Sequence, residues 1–151
     1  MTQLDDIAGR FAANAGGEVV PVSRVVSAAD IERLARAIGS TNARYWDREL
    51  ARRSPWGGIL APPTFLATIR APAPIDGNLG LPALNGGNRF TYLRPVRPGD
   101  ILTGAAAVSD VRIKEGSAGR MLFLVKRTTF VNQHNERVGT VEHTRIIRES
   151  R

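Results

Sequence analysis

Hydrophobic positions along this chain follow two different periods, and the change falls near the middle. Residues 18–26 (EVVPVSRVV) are rich in β-branched side chains, which predicts a first strand, with Pro21 pointing to an edge position. Ser27 then opens a helix. Its hydroxyl is placed to cap the first turn, Asp30 follows three residues later, and Ile31, Leu34 and Ile38 share one face with Ala35 beside them. Gly39 ends it. A second short helix is predicted over residues 45–53 (YWDRELARR), stopped by Ser54-Pro55. A third is predicted over residues 64–70 (TFLATIR), entered through Pro62-Pro63 and apolar on most sides, which argues for burial of Phe65, Leu66 and Ile69.

Residues 71–88, punctuated by Pro72, Pro74, Asp76-Gly77 and Gly86-Gly87, read as a long connection of the kind that carries function. Beyond it the period drops to two. Residues 88–96, 100–114, 119–132 and 136–148 read as strands, and the last three are joined by turns short enough for an antiparallel meander. Residues 1–16, polar and Gly/Ala-rich, read as a flexible lead-in with one helical turn around Ile7 to Phe11, and 17–151 as a single domain. The sum is an α+β chain in which a long, curved antiparallel sheet wraps a central helix, the hot-dog arrangement. Its free sheet edge suits edge-to-edge pairing into a dimer.

Composition narrows the chemistry. At 151 residues the chain is large enough to bury roughly two-thirds of its unfolded surface without covalent staples. Cysteine is absent, which excludes disulfides, thiolate zinc sites, iron–sulfur clusters and a cysteine nucleophile. Two histidines, His134 and His143, are too few for a histidine-rich metal site, and neither metal nor cofactor is expected. No apolar run reaches the roughly 18–20 residues of a membrane helix, and the acidic start (MTQLDD) does not read as a secretory signal, so a cytoplasmic protein is expected. The net charge of +7 is carried almost wholly by arginine, with Lys114 and Lys126 the lysines. The arginines are scattered and no aromatic residues interleave with a basic stripe, so a nucleic-acid partner is not expected. Such charge also suits phosphate-bearing small molecules.

Three segments carry a resemblance. Residues 37–47 (AIGSTNARYWD), 61–65 (APPTF) and 90–100 (FTYLRPVRPGD) resemble the MaoC-like hydratase/dehydratase group, in particular its N-terminal, FAS1-like dehydratase branch, over residues 17–148. The resemblance implies a hot-dog fold and (R)-specific hydration or dehydration of acyl thioesters, with acyl-CoA or an acyl-carrier thioester as the small-molecule partner. In catalytically complete members the loop after the first helix reads Gly-Asp-x-Asn-Pro-x-His-x-Asp. Its aspartate and histidine hold a water and move protons, while an N–H at the start of the central helix polarises the thioester carbonyl.

This chain departs from that pattern at each point. Aligned on Gly39, Ser40 stands for the catalytic aspartate, Asn42 matches the asparagine, Ala43 replaces the proline, Tyr45 stands for the histidine, and Asp47 matches the last aspartate. Pro62-Pro63 occupies the helix start, and proline has no N–H to give. Serine is no base at neutral pH, and tyrosine, with an ordinary pKa near ~10, is a poor one. The resemblance therefore implies a non-catalytic, substrate-binding half that pairs with a catalytic MaoC-like subunit, or a hot-dog homodimer. The alternative is a self-sufficient dehydratase-like or cyclase-like enzyme using other residues.

Candidate catalytic residues are Ser40, Tyr45, Asp47 and His143, the last on a strand face with Val141 and Arg145. Candidate substrate-binding residues are Asn42, Trp56, Gly58, Pro63, Thr64, Phe65, Asn88 and Arg94. Each has a plainer reading. Ser40 is also a turn residue, Tyr45 and Trp46 also pack a helix, Asp47 also caps or ion-pairs locally, Asn42 also braces its loop, and Arg94 is also solvated surface beside the Pro98-Gly99 turn.

Overall fold

The computed structural model describes residues 2–13, 15, 19–117 and 119–149. Five strands form one antiparallel sheet in the order β1-β3-β4-β5-β2. They are β1 (Val22–Val25), β2 (Ala83–Tyr92), β3 (Ile101–Gly116), β4 (Gly119–Val131) and β5 (Arg137–Arg148). The last three make the expected meander, and β2 returns to the outside of β5. β1 starts later than the sequence pattern placed it; positions 17 and 18 lie outside the described residues, as do positions 1, 14 and 16 of the lead-in. β2 starts five residues earlier than expected and stops at Tyr92. Glycine lets it lie against β5: a Cβ on Gly139 would fall 2.3 Å from the Thr91 carbonyl oxygen, so the two backbones touch there.

The helices are set by their ends. In α2 (Ala28–Ala37) the Ser27 hydroxyl accepts from the Asp30 N–H at 3.0 Å, and Ile31 and Ala35 are buried. At its far end Gly39 takes φ +70°, Gly39 N–H bonds Arg36 O, and Ser40 N–H bonds Ala35 O. Ile38, expected on the inner face, is half exposed, because the helix ends there. The second helix is split. A 3-10 turn (Ala43–Tyr45) capped by Asn42 precedes α3 (Arg48–Arg52), whose cap is Asp47.

Two expectations change more. The third helix is only a 3-10 turn, Phe65–Thr68. Pro72 disfavours helical backbone just before it, and the Thr68 hydroxyl bonds back to Phe65 O at 2.8 Å. The sheet thus wraps a four-residue turn where a full helix was expected. The lead-in, by contrast, holds a three-turn helix, α1 (Gln3–Ala13). Leu4, Ile7 and Phe11 recur at spacings of three and four and are buried. Asp5 anchors the helix to β4 through Arg120 at 2.6 Å, and that guanidinium, with the Thr2 N–H, holds the carboxyl far below its ordinary pKa.

The consequence is a divided core. One cluster gathers Ile31, Phe65, Leu66, Ile69, Phe130 and Val138 around the 3-10 turn. The other gathers Leu4, Ile7, Phe11, Ile75, Leu122 and Ile147 under α1. Because Phe11 is a core residue at 2% exposure, Phe11→Ala is expected to cost about 3–5 kcal/mol. A side chain on a loose lead-in would change stability by no more than about 0.5 kcal/mol. Urea unfolding of the two proteins decides between these values.

Candidate functional site

Between the two cores the inner face of the sheet turns polar. Along β4 the inward positions read Leu122, Leu124, Lys126, Thr128, Phe130, and along β5 they read Val141, His143, Arg145, Ile147. Register sets Lys126 opposite His143 and His143 opposite Asn88 of β2, so one row across three strands carries three polar side chains. They line a cavity of 580 Å³ whose apolar side is Leu66, Ile69, Phe130 and Val141. Its remaining wall includes Arg70 and Asp76 from the segment that follows the 3-10 turn.

The contacts define the state of each group. Lys126 Nζ lies 2.8 Å from both Asp76 oxygens and donates to Ala71 O at 3.2 Å. His143 Nδ1 lies 3.0 Å from Asn88 Oδ1. An amide oxygen only accepts, so Nδ1–H donates and Nε2 is the basic nitrogen of the neutral ring. Burial lowers the His143 pKa below 6.5, and the charges of Lys126 and Arg145 lower it further, against the opposing pull of Asp76. Among the described residues no group of three or more His, Cys, Asp or Glu side chains is placed to hold a metal ion.

The other candidate residues fall elsewhere. The Ser40 hydroxyl accepts from the Asn42 N–H at 3.2 Å, Asn42 Oδ1 accepts from Arg44 N–H, and Asp47 Oδ1 accepts from Leu50 N–H. All three serve local backbone. Tyr45 packs on the larger core, and Phe65 lies inside it at 1% exposure. Thr64 is exposed and makes no side-chain cap. Pro62 O accepts the Phe65 N–H at 2.9 Å. Trp56, Pro63 and Arg94 share a separate apolar groove of 490 Å³ beyond the end of β2, where the Tyr92 hydroxyl donates to Pro63 O at 2.7 Å. Burial pushes that hydroxyl's pKa up to about 12. Arg94 pairs with Glu136 at 3.0 Å, and Gly58 borders a third hollow beside Arg97.

Thus Asn88 and His143 are brought together, while Ser40, Tyr45 and Asp47 do not line their cavity. The sequence reading missed Lys126, Asp76 and Arg70. The available signal was a lysine at an inward position of an otherwise apolar strand (LFLVKRTTFV), level with a histidine in the neighbouring one.

The lowered His143 pKa has a measurable sign. Between its folded value and 6.5 the unfolded chain binds the proton that the folded chain refuses, so stability falls as pH drops from neutrality through 6.5. His143→Gln is expected to flatten that part of the profile, read as the urea midpoint between about pH 7 and 5.

Comparisons with known proteins bear on the whole chain. A family model described as "FAS1-like, dehydratase domain region" matches residues 13–141. A UPF0336 protein of Streptomyces griseus is 37% identical over 94 residues, or 58% of this chain and 63% of the relative, so the match spans less than two-thirds of that protein. UPF0336 protein Franean1_6066 of Parafrankia sp. is 35% identical over 120 residues, 72% of this chain and 74% of the relative. Among solved structures, the ChsH1–ChsH2 complex from Mycobacterium tuberculosis aligns with a TM-score of 0.73 at 21% identity, covering 97% of this chain and 93% of the other. The C-terminally truncated HadBC (3R-hydroxyacyl-ACP dehydratase) complex from the same organism aligns at 0.67 and 22% identity, covering 85% and 92%. Those two share the hot-dog fold seen here. With a curled five-stranded sheet over a short central turn and a family match running from α1 into β5, the chain belongs to the FAS1-like dehydratase domain family.

Proposed function

We propose that this chain is the non-catalytic, substrate-binding half of a heteromeric (R)-specific hydratase/dehydratase acting on acyl thioesters, with a catalytic MaoC-like hot-dog subunit as its partner. One observation carries the reading. The loop where relatives of the MaoC-like group place their acid and base has its polar side chains turned to backbone duty. Ser40 serves the Asn42 N–H, Asp47 caps α3, and Tyr45 packs inward. The approach to the central turn adds to this. The turn begins at Phe65 and not at Pro62-Pro63. The two prolines ahead of it have no N–H, and the Phe65 N–H is spent on Pro62 O, so none of these three offers an N–H to a thioester carbonyl. Two of the solved structures that share the fold are complexes, ChsH1–ChsH2 and HadBC, which supports a heteromer here. The outer edge of β2 supplies a surface for the partner. The strand is ten residues long and exposed over its first seven, a row of backbone groups that an added strand would satisfy.

A second reading has its own observation. His143, with Nε2 as its basic nitrogen, lines the 580 Å³ cavity, and a base in a cavity is what a self-sufficient enzyme with altered residues would need.

Turnover separates them. The purified chain alone is expected to show no hydration of crotonyl-CoA or longer enoyl-CoAs above background, and mixing with its catalytic MaoC-like partner restores activity. Substantial turnover by the chain alone, lost on His143→Gln by the roughly 10²–10⁴-fold that removal of an acid–base group costs, would establish the second reading.

A further inference from the structure

A plain alkyl chain fits only half of the cavity between the cores. Leu66, Ile69, Phe130 and Val141 would accept methylenes. The opposite wall would not, because hydrocarbon laid over Lys126 and His143 strips water from both and returns no hydrogen bond. Lys126 is already partly withdrawn from solvent, its side chain 14% exposed. The charges on this wall also do not balance. Among the described residues, Lys126 has Asp76, the single carboxylate lining the cavity, and Arg70 has no ion pair or hydrogen bond of its own. The neighbouring inward arginine, Arg145, is held by the carbonyls of Ile75 and Gly77, with no acid against it among the described residues. A planar guanidinium with free donors at the edge of a half-apolar cavity matches the two oxygens of a carboxylate.

We propose that this cavity seats the distal carboxylate of an ω-carboxyacyl thioester. The methylenes run along the apolar wall, and the carboxylate lies against Arg70 and within reach of Lys126 and His143. The volume, 580 Å³, sits inside the roughly 300–1,000 Å³ of small-molecule sites. The proposal rests on the reading of the chain as an acyl-thioester-binding subunit, and it adds that selection is for an acid-terminated acyl group. An incoming anion would also change His143. The groups that face it are Lys126 from β4, Arg145 from its own strand, Asp76 from the connecting segment and Asn88 from β2. A carboxylate added to that set favours the charged ring, so binding takes up a proton and strengthens as pH falls below neutrality.

The test compares adipyl-CoA with hexanoyl-CoA, equal in carbon count, by calorimetry on the full chain, with adipate alone followed through the His143 ring signals in NMR titrations. Adipyl-CoA is expected to bind at least tenfold more tightly and to raise the His143 pKa. Arg70→Gln, at an exposed position, is expected to bring the two esters within about twofold of each other, a charge-assisted hydrogen bond being lost. Equal or tighter binding of hexanoyl-CoA, or a preference that survives Arg70→Gln, overturns the proposal. If neither ester binds while adipate still raises the His143 pKa, the carboxylate site stands and the thioester reading falls. If adipate leaves the ring unmoved as well, the carboxylate site falls with it.

Discussion

Covering the inner face of a long curled sheet is the constraint on which this structure depends. The three meander strands run 16, 13 and 12 residues. At about 3.3 Å per residue the shortest of them spans about 40 Å. The turn at the centre has four residues, or about 8 Å at 3-10 rise. It cannot shield the face alone. Coverage is shared instead. The turn and α2 shield one end, α1 and Ile75 shield the other, and the strip between them is left to polar side chains that tolerate water. The cavity is what remains when a short central element meets long strands.

A related demand explains the loop over residues 39–47. Each helix end leaves backbone groups that need partners, and four ends fall in this stretch, one of them closed by the Trp46 N–H on Ala43 O. Gly39 and Ser40 close α2, Asn42 opens the 3-10 turn, and Asp47 opens α3. A side chain that accepts from a backbone N–H in its own loop is poorly placed to hold a water for chemistry. The chain keeps the architecture of its dehydratase family while Ser40, Asn42 and Asp47 serve backbone N–H groups close by in sequence.

Much of this was legible in the sequence because it is local. Ser27 with Asp30, Gly39, and the period-two runs of the meander each report the backbone of their own neighbourhood, and all three are found where the pattern placed them. What failed depended on distance or competition. The helical pattern of Leu4, Ile7 and Phe11 was diluted by glycine and alanine, and its stability comes from β3, β4 and the Arg120 contact, more than a hundred residues away. The 64–70 segment has helical apolar spacing, but Thr68 and Pro72 decide otherwise. Of the candidate site residues, Asn88 and His143 meet across strands, while Lys126 and Asp76 are joined by a contact spanning fifty positions. Only the parity of Lys126 within its strand hinted at it.

The division of the core also shapes how the molecule comes apart. Among the described residues, the cluster under α1 and the cluster around the central turn share no buried side chain. A polar strip between two apolar blocks lets local opening begin in one of them. The strands run through both blocks, so the element that can lift without breaking the sheet is α1, and its amides are expected to exchange hydrogen faster than those of Phe130 and Val138.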